Sequence, residues 1–430
     1  MAPLRERMTS SNAPLVAHLV VLATGFVVFS LIAARGWFFY DDWYFLTSQS
    51  DVIWSPHVGH WNTVPALLFL GIQRVFGMDH YLPFAMPAIL AHLAAVHLIW
   101  RITLRATVRP WLATAFSVLL TFLGAGAEAL AWAVQIGFVG AITGMLGVVV
   151  LLESRRITLL RGVLTSALVL LSLASSGVAV PFIPVAIAIA WLRHGVLRTI
   201  AVFTAPIIAF VVWYLLRGQA APMPDRASGF AETFAVPEYA VAMLSDGLGK
   251  VFPLAVIGGI VFIALGVWWI FTIRSVEPAA IPAYLLFLVA PVFALLTGYT
   301  RIGAGLDTAT SSRYVYVVVI SVAPFMALCF DRASRRSPVA PAAALVLIVA
   351  AWNIGGMAVA MTERIQRVDG TRAELAATAA TLRADPDCLA GDERPSPQWA
   401  PDVTVGDVRR WIDHGWYHPA PVAGRECGSP

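Results

Sequence analysis

Eleven apolar stretches, most of them long enough to cross a bilayer, run through this 430-residue chain. They lie near residues 14–34, 82–100, 111–127, 133–152, 162–178, 179–192, 199–216, 251–273, 280–298, 314–330 and 339–361. A spanning helix needs about 20 apolar residues, so eleven of them use roughly half the chain. Composition agrees. Hydrophobic residues make up 59% and charged residues 13%, against about 45–50% and about 25% in a soluble domain. So few charges cannot cover a water-facing surface, and disordered, fibrous and disulfide-scaffold classes are excluded. The sequence predicts an all-α polytopic membrane protein with about 11 transmembrane helices.

Arginine placement sets the expected sidedness. Arg5 and Arg7 precede the first stretch, which has no clear cleavage site after it and reads as a span rather than a signal peptide. Alternate loops then carry Arg101, Arg105 and Arg109; Arg155, Arg156 and Arg161; Arg193 and Arg198; Arg274; and Arg332, Arg335 and Arg336. All five fall on the cytoplasmic side if the N-terminus is cytoplasmic, as the positive-inside rule requires. Ser172, Ser175, Ser176 and Gly177 mark a tight outside turn between two short spans. The segments left outside are 35–81, 217–250, 299–313 and the tail. The expected organisation is a membrane domain over 1–361 and an external tail over 362–430, in a multi-pass protein of the cell membrane. Only one of the 29 basic residues is lysine, Lys250. No basic stripe interleaves with aromatics, so nucleic acid is not an expected partner.

The cysteines fit this arrangement. Cys329 is isolated inside a span, whereas Cys388 and Cys427 both fall in the tail. Two cysteines in an oxidising compartment predict a disulfide, worth roughly 3–4 kcal/mol for a loop of that length. Thr371 to Asp385 has helical spacing. Thr404 and Asp407 resemble a capping box ahead of Val408, Trp411 and Ile412. The tail therefore reads as a small soluble appendage, with Trp411 and Trp416 as candidate carbohydrate contacts.

The first outside segment carries Asp41 and Asp42 among seven aromatics. Interfacial aromatics are expected; acids there are costly unless a partner or a task holds them. Adjacent residues point in different directions. One acid is therefore expected to face a cavity while the other binds a donor or a metal. Asp42 is the slightly favoured catalytic base, with Trp43 beside it as a sugar-stacking face. His57 and His60 follow, three apart, a spacing that can bring both to one helical face. With Asp41 or Asp42 they are candidate ligands for a divalent cation, the one cofactor left open; sugar binding or structural hydrogen bonding is the expected use. Thr63 to Phe76 is amphipathic and too short to span, so it is expected in the interface plane.

The succession of one span, an outside loop with an acid pair, a His/Pro-containing stretch, an amphipathic helix, Phe76-Gly77 and then Tyr81-Leu82-Pro83-Phe84 before a second span resembles the N-terminal module of the glycosyltransferase C superfamily. The likeness covers about residues 14–104. It implies that an acid in the first outside loop serves as base or as donor or metal contact, and that the donor is a polyprenyl-phosphate-linked sugar. This chain has His57 and His60 where many members carry an acid-Pro-Pro run.

The segment 299–313 places Arg301 and Arg313 outside, with glycines and hydroxyls between them. A guanidinium fork suits phosphate. Ser312, Arg313 and Tyr314 open the next span, whose N-terminus is expected to favour an anion. Glu128 adds an acid near the same surface. The segment 217–250 is long enough to act as a lid, and its mixed charges are expected to be solvated. The reading is an inverting membrane glycosyltransferase: Asp42 or Asp41 deprotonates the acceptor, and Arg301 and Arg313 stabilise the departing polyprenyl phosphate. Donor lipid, membrane lipids and a glycan, lipid or protein acceptor are the expected partners. Two other classes make different demands on the sequence. A transporter or lipid flippase would show a two-fold repeat and midplane charges, whereas these charges gather at one face. A non-catalytic scaffold presenting the tail would not need the acids and arginines.

Overall fold

The computed structural model describes residues 12–47, 50–154, 156–425 and 427; Arg5, Arg7 and Arg155 lie outside the described residues. The chain is an all-helical polytopic membrane protein. Nine described helices are long and apolar enough to cross a membrane. After α1 (Ala13–Ala33) come two short helices, α2 (Asp41–Thr47) and the amphipathic α3 (Thr63–Phe76). Then follow α4 (Leu82–Arg105), α5 (Pro110–Thr121) and α6 (Ile136–Leu152). Helices α7 (Leu159–Leu173) and α8 (Phe182–His194) have only 15 and 13 residues, and meet at the expected serine-rich turn. The remainder are α9 (Val196–Leu216), α10 (Phe230–Gly249), α11 (Val256–Thr272), α12 (Ile281–Phe287), α13 (Val289–Arg301), α14 (Ser312–Ala333), α15 (Val339–Ala384) and α16 (Val405–Asp413).

Helix α14 is the axis of the bundle and is buried along nearly its whole length. At its far end Asp331 is fully buried and accepts from Arg109 Nε at 2.6 Å and Arg335 Nε at 3.3 Å. A buried carboxylate is tolerated only when so paired, and this one ties the turn before α5 to α14. At the other end α14 starts against residues 124–128. These belong to an irregular segment of short helical turns between α5 and α6. The helix breaks at Gly124, where a Cβ would lie 2.1 Å from the carbonyl oxygen of Asn353. Only glycine lets the two backbones approach so closely.

Three expectations change here. The segment 217–250 is not an open lid: it contains the 20-residue α10, packed against α11, α13 and α14. The last span and the tail's first helix are one helix, α15, of 46 residues. At 1.5 Å per residue that is roughly 70 Å, more than twice the hydrocarbon thickness. Nor is the tail a detached appendage. Tyr40 N donates to Trp399 O at 3.1 Å, Met78 N to Trp416 O at 2.6 Å and Arg410 Nη2 to Thr47 O at 3.1 Å. The expected Cys388–Cys427 disulfide is present and Cys329 is free and buried. The Thr404–Asp407 capping box forms at the start of α16.

Candidate active site

Residues 40–62, the 132–138 segment and the ends of α13 and α14 line a cavity of about 270 Å³. Its polar lining is Asp41, His57, His60, Asn62, Gln135, Arg301 and Arg313, with Tyr40 and Tyr314. Residues 40–62 and 301–314, far apart in the chain, are thus brought to one chamber.

Asp41 and Asp42 open α2, and successive helical residues point about 100° apart. Asp41 lines the chamber, its side chain about one-third exposed. Asp42 faces inward and is fully buried. Its Oδ2 accepts from Phe39 N at 3.0 Å and from Tyr81 Oη at 3.2 Å, and its Oδ1 from Val134 N at 2.9 Å. Tyr81 Oη in turn accepts from Ala133 N at 2.7 Å. The preference for Asp42 as base is therefore corrected: its oxygens are taken up by the backbone N–H groups of Phe39 and Val134 and by the Tyr81 hydroxyl. Burial pushes its carboxyl up to about 7, against the lowering effect of Arg364 and those three donors. Trp43 is also withdrawn as a sugar-stacking face. It is fully buried, with its ring stacked 5.8 Å from that of Trp411, which is itself in the core.

His57 and His60 do not share a helical face. Each donates its N–H to the other's carbonyl, at 3.2 Å and 2.9 Å, around Val58 and Gly59. Both central residues have positive φ, 51° and 79°, which makes this a type I′ hairpin. Asn62 Nδ2 braces it by donating to His57 O at 3.2 Å and His60 O at 3.3 Å. His57 Nε2 stands 3.4 Å from Asp41 Oδ1, and its ring stacks on Tyr44 at 4.0 Å. His60 Nδ1 accepts from Gly177 N at 3.3 Å. That bond fixes its proton on Nε2. Burial first, then Arg301, His57 and Arg313, drive its pKa down to about 3. His60 is thus a neutral donor and no base.

Arg301 Nη1 meets Asp225 Oδ2 at 3.2 Å and Arg313 Nη1 meets Glu128 Oε1 at 2.7 Å. Glu128 and Ser312 are set behind the chamber wall. Ser312 Oγ donates to Ala125 O at 2.9 Å and accepts from Glu128 N at 3.2 Å. Glu128 Oε2 also accepts from Arg313 N at 3.3 Å. The start of α14 therefore already meets an anion, Glu128, in place of the lipid phosphate expected there. Among the described residues no group of three His, Cys, Asp or Glu could hold a metal. Of the four metal candidates, Asp42 is turned away from the rest.

Residues that sequence reasoning missed complete the site. Tyr40 lines the chamber at φ 48°, a strained conformation for a non-glycine residue. Arg364 of α15 lies over the rings of Phe39 (4.3 Å) and Trp132 (5.3 Å), a cation–π clamp from a helix that carries no local motif. Gln135, seven residues after Glu128, had only its position as a signal.

A second, largely apolar cavity of about 530 Å³ adjoins the chamber. It is walled by residues including Trp61, Phe210, Trp213, Phe293 and Leu296, and shares Val58, His60, Phe138, Arg301 and Tyr314 with the first. Phe210, Tyr214 and Leu296 belong to α9 and α13, and Tyr214 and Leu296 are exposed on the outer surface of the bundle.

Neither a protein-family model nor a curated protein sequence matches the chain. Among solved structures it is similar to ArnT from Cupriavidus metallidurans bound to undecaprenyl phosphate. The TM-score is 0.52 at 11% identity, over 89% of this chain and 82% of that one. The chain therefore shares its fold with that protein. The Archaeoglobus fulgidus oligosaccharyltransferase tethered with an acceptor peptide aligns over 96% of this chain and 60% of its own, at 10% identity and a TM-score of 0.47.

Proposed function

We propose that the chain is an inverting membrane glycosyltransferase that moves a sugar from a polyprenyl-phosphate donor to a cell-envelope acceptor at the outer face of the membrane. The observation that carries this reading is the junction at Arg301, His60 and Tyr314. There a polar chamber holding an acid opens into an apolar groove between α9 and α13. A lipid phosphate is the ligand with that division: a chain for the groove, and an anion for two guanidiniums and the Nε2–H of a neutral histidine. The fold shared with a protein solved bound to undecaprenyl phosphate supports a lipid phosphate of that kind as the carrier.

The roles follow from position. Asp41, oriented by His57, accepts the acceptor's hydroxyl proton. The freed oxygen attacks the anomeric carbon as its bond to the phosphate oxygen breaks. Arg301 and Arg313 stabilise the charge that develops on the leaving phosphate, and the low pKa of His60 keeps it a donor throughout. Asp42 and Tyr81 hold the 132–135 wall in place.

The test is binding and transfer on purified protein. Wild type should bind undecaprenyl phosphate far more tightly than undecaprenol, and Arg301→Ala should weaken phosphate binding about 10- to 100-fold, the worth of a charge-assisted contact. Asp41→Asn should keep that binding and lose about 10²–10⁴ in transfer rate from an undecaprenyl-phosphate sugar. Equal affinity for the phosphate and the alcohol would sink the proposal.

A further inference from the structure

Gln135 closes a single helical turn, Ala133–Gln135, just ahead of α6. This turn is a rigid mount. Its first two backbone N–H groups are held by Tyr81 Oη (2.7 Å) and Asp42 Oδ1 (2.9 Å), and Gln135 N donates to Trp132 O at 3.0 Å. The side chain is 4% exposed and lines the chamber, yet its Oε1 has no hydrogen-bond partner. Buried amide oxygens are nearly always paired, and one left unpaired in a native site calls for an explanation. Among the described residues, two chamber-lining side chains carry such an unpartnered buried atom: Gln135 and His57, whose Nε2 faces Asp41.

We infer that Gln135 selects the group to be transferred: its amide, which no hydrogen bond to Oε1 holds in place, turns so that Oε1 accepts a hydrogen bond from a hydroxyl of the sugar on the lipid phosphate. The assignment rests on the glycosyl-transfer reading above. Its chemistry is one of elimination within the donor. Oε1 can only accept. An ionised phosphodiester has no proton to give and a polyprenyl chain has none, so the sugar is the part that carries donors. The chamber's 270 Å³ equals about nine waters at about 30 Å³ each, room for one sugar ring. A site that must satisfy a buried acceptor rejects a ligand lacking the matching hydroxyl far more strongly than an apolar pocket would.

The experiment measures the affinity that a sugar adds. Purified wild type, Gln135→Met and Gln135→Glu are titrated with undecaprenyl phosphate and with undecaprenyl phosphate carrying glucose, mannose, galactose or arabinofuranose. At least one sugar should raise wild-type affinity about 10-fold over the bare phosphate, the scale of one net hydrogen bond. Gln135→Met, of similar length but without an acceptor, should erase that increment and leave the bare-phosphate affinity unchanged. Gln135→Glu, which keeps an acceptor, should retain part of it. Because Met removes an unpaired polar atom, the melting temperature of ligand-free Gln135→Met should stay level or rise; a fall would make Gln135 structural and overturn the assignment. So would an increment that survives Gln135→Met, or the lack of any increment across the panel. Arg301→Ala keeps the two readings apart. If bare phosphate binds through Arg301 while the increment ignores Gln135, only this inference fails. If phosphate binding is indifferent to Arg301 and no tighter than undecaprenol, the parent reading fails and takes this one with it.

Discussion

Asp41 and Asp42 show how much one residue of register decides. They have the same side chain and the same sequence neighbourhood, yet Asp41 faces the chamber while Asp42 is wholly enclosed and accepts three hydrogen bonds. That an acid here has work to do was legible from its cost near a membrane; which acid meets the cavity depends on the direction of α2 and on a wall 90 residues away. Titration should separate them. Burial raises Asp42 from 3.8 to about 7, so the folded state binds its proton more tightly than the unfolded chain does. Its stabilising contribution is complete below about pH 4 and is lost as pH rises through 7, roughly 4 kcal/mol in all. His60, lowered to about 3, acts in the opposite sense: its contribution is present above about 6.5 and is lost as pH falls. Wild-type stability alone therefore shows a partly cancelled slope. The informative quantity is the gap in melting temperature between wild type and Asp42→Asn. At pH 4–5 the variant should melt lower, because its amide N–H₂ meets backbone donors. The gap should narrow steadily towards pH 7.5. A gap constant across that window would show that Asp42 does not titrate there.

Among the elements, the hairpin at 57–60 was the least legible. A His-x-x-His spacing suits a helix, but Gly59 takes φ 79° and draws Val58 to φ 51°. A β-branched residue with positive φ is strained by about 1–3 kcal/mol. Val58 lines both cavities, so the strain sits where the chamber meets the groove. Val58→Asn converts the turn to Asn-Gly, the pair best suited to type I′. It should stabilise the protein by about 1 kcal/mol, measured as a higher melting temperature. If Val58 also packs on the lipid chain, the same variant should bind undecaprenyl phosphate more weakly. An unchanged or lower melting temperature would mean that Val58 makes contacts worth more than its strain. The amphipathic α3, by contrast, formed at Thr63–Phe76 as its pattern predicts, because a hydrophobic stripe needs only a surface on which to lie.

For the molecule as a whole, the tail does more than hang from α15. Its segment 399–417 packs against residues 37–47 and 78–79, directly behind Asp41. The Cys388–Cys427 bridge closes this unit across 39 residues. Cys388→Ser should cost about 3–4 kcal/mol by the chain-entropy account. Through the packing on α2 it should also lower transfer activity at temperatures where wild type is fully active. Denaturing, non-reducing thiol labelling should modify Cys329 alone in wild type and add Cys427 in the variant. Sidedness has its own check. The alternating arginine loops predict residue 104 inside and the tail outside, so reporters fused after residues 104 and 365 should give opposite signals. Matching signals would move the proposed site to the other face of the membrane.

The positions of the long apolar helices, the disulfide, the capping box before α16 and the segments that line the chamber were legible in the sequence, although nine described helices rather than eleven are long and apolar enough to cross a membrane. Each depends on local or compositional physics: apolar length against bilayer thickness, charge against membrane side, a side chain against its own helix start. Convergence was the business of the tertiary structure. It chose Asp41 over Asp42, buried Trp43 against Trp411 and neutralised His60 beside two arginines. It also set Glu128 at the start of α14, brought Arg364 over Phe39 and Trp132, and left Gln135 unpaired in the chamber. Those outcomes depend on contacts between residues some 90 to 370 positions apart. No short window of sequence holds that information, because burial and pairing energies are set by what the rest of the chain places on the other side.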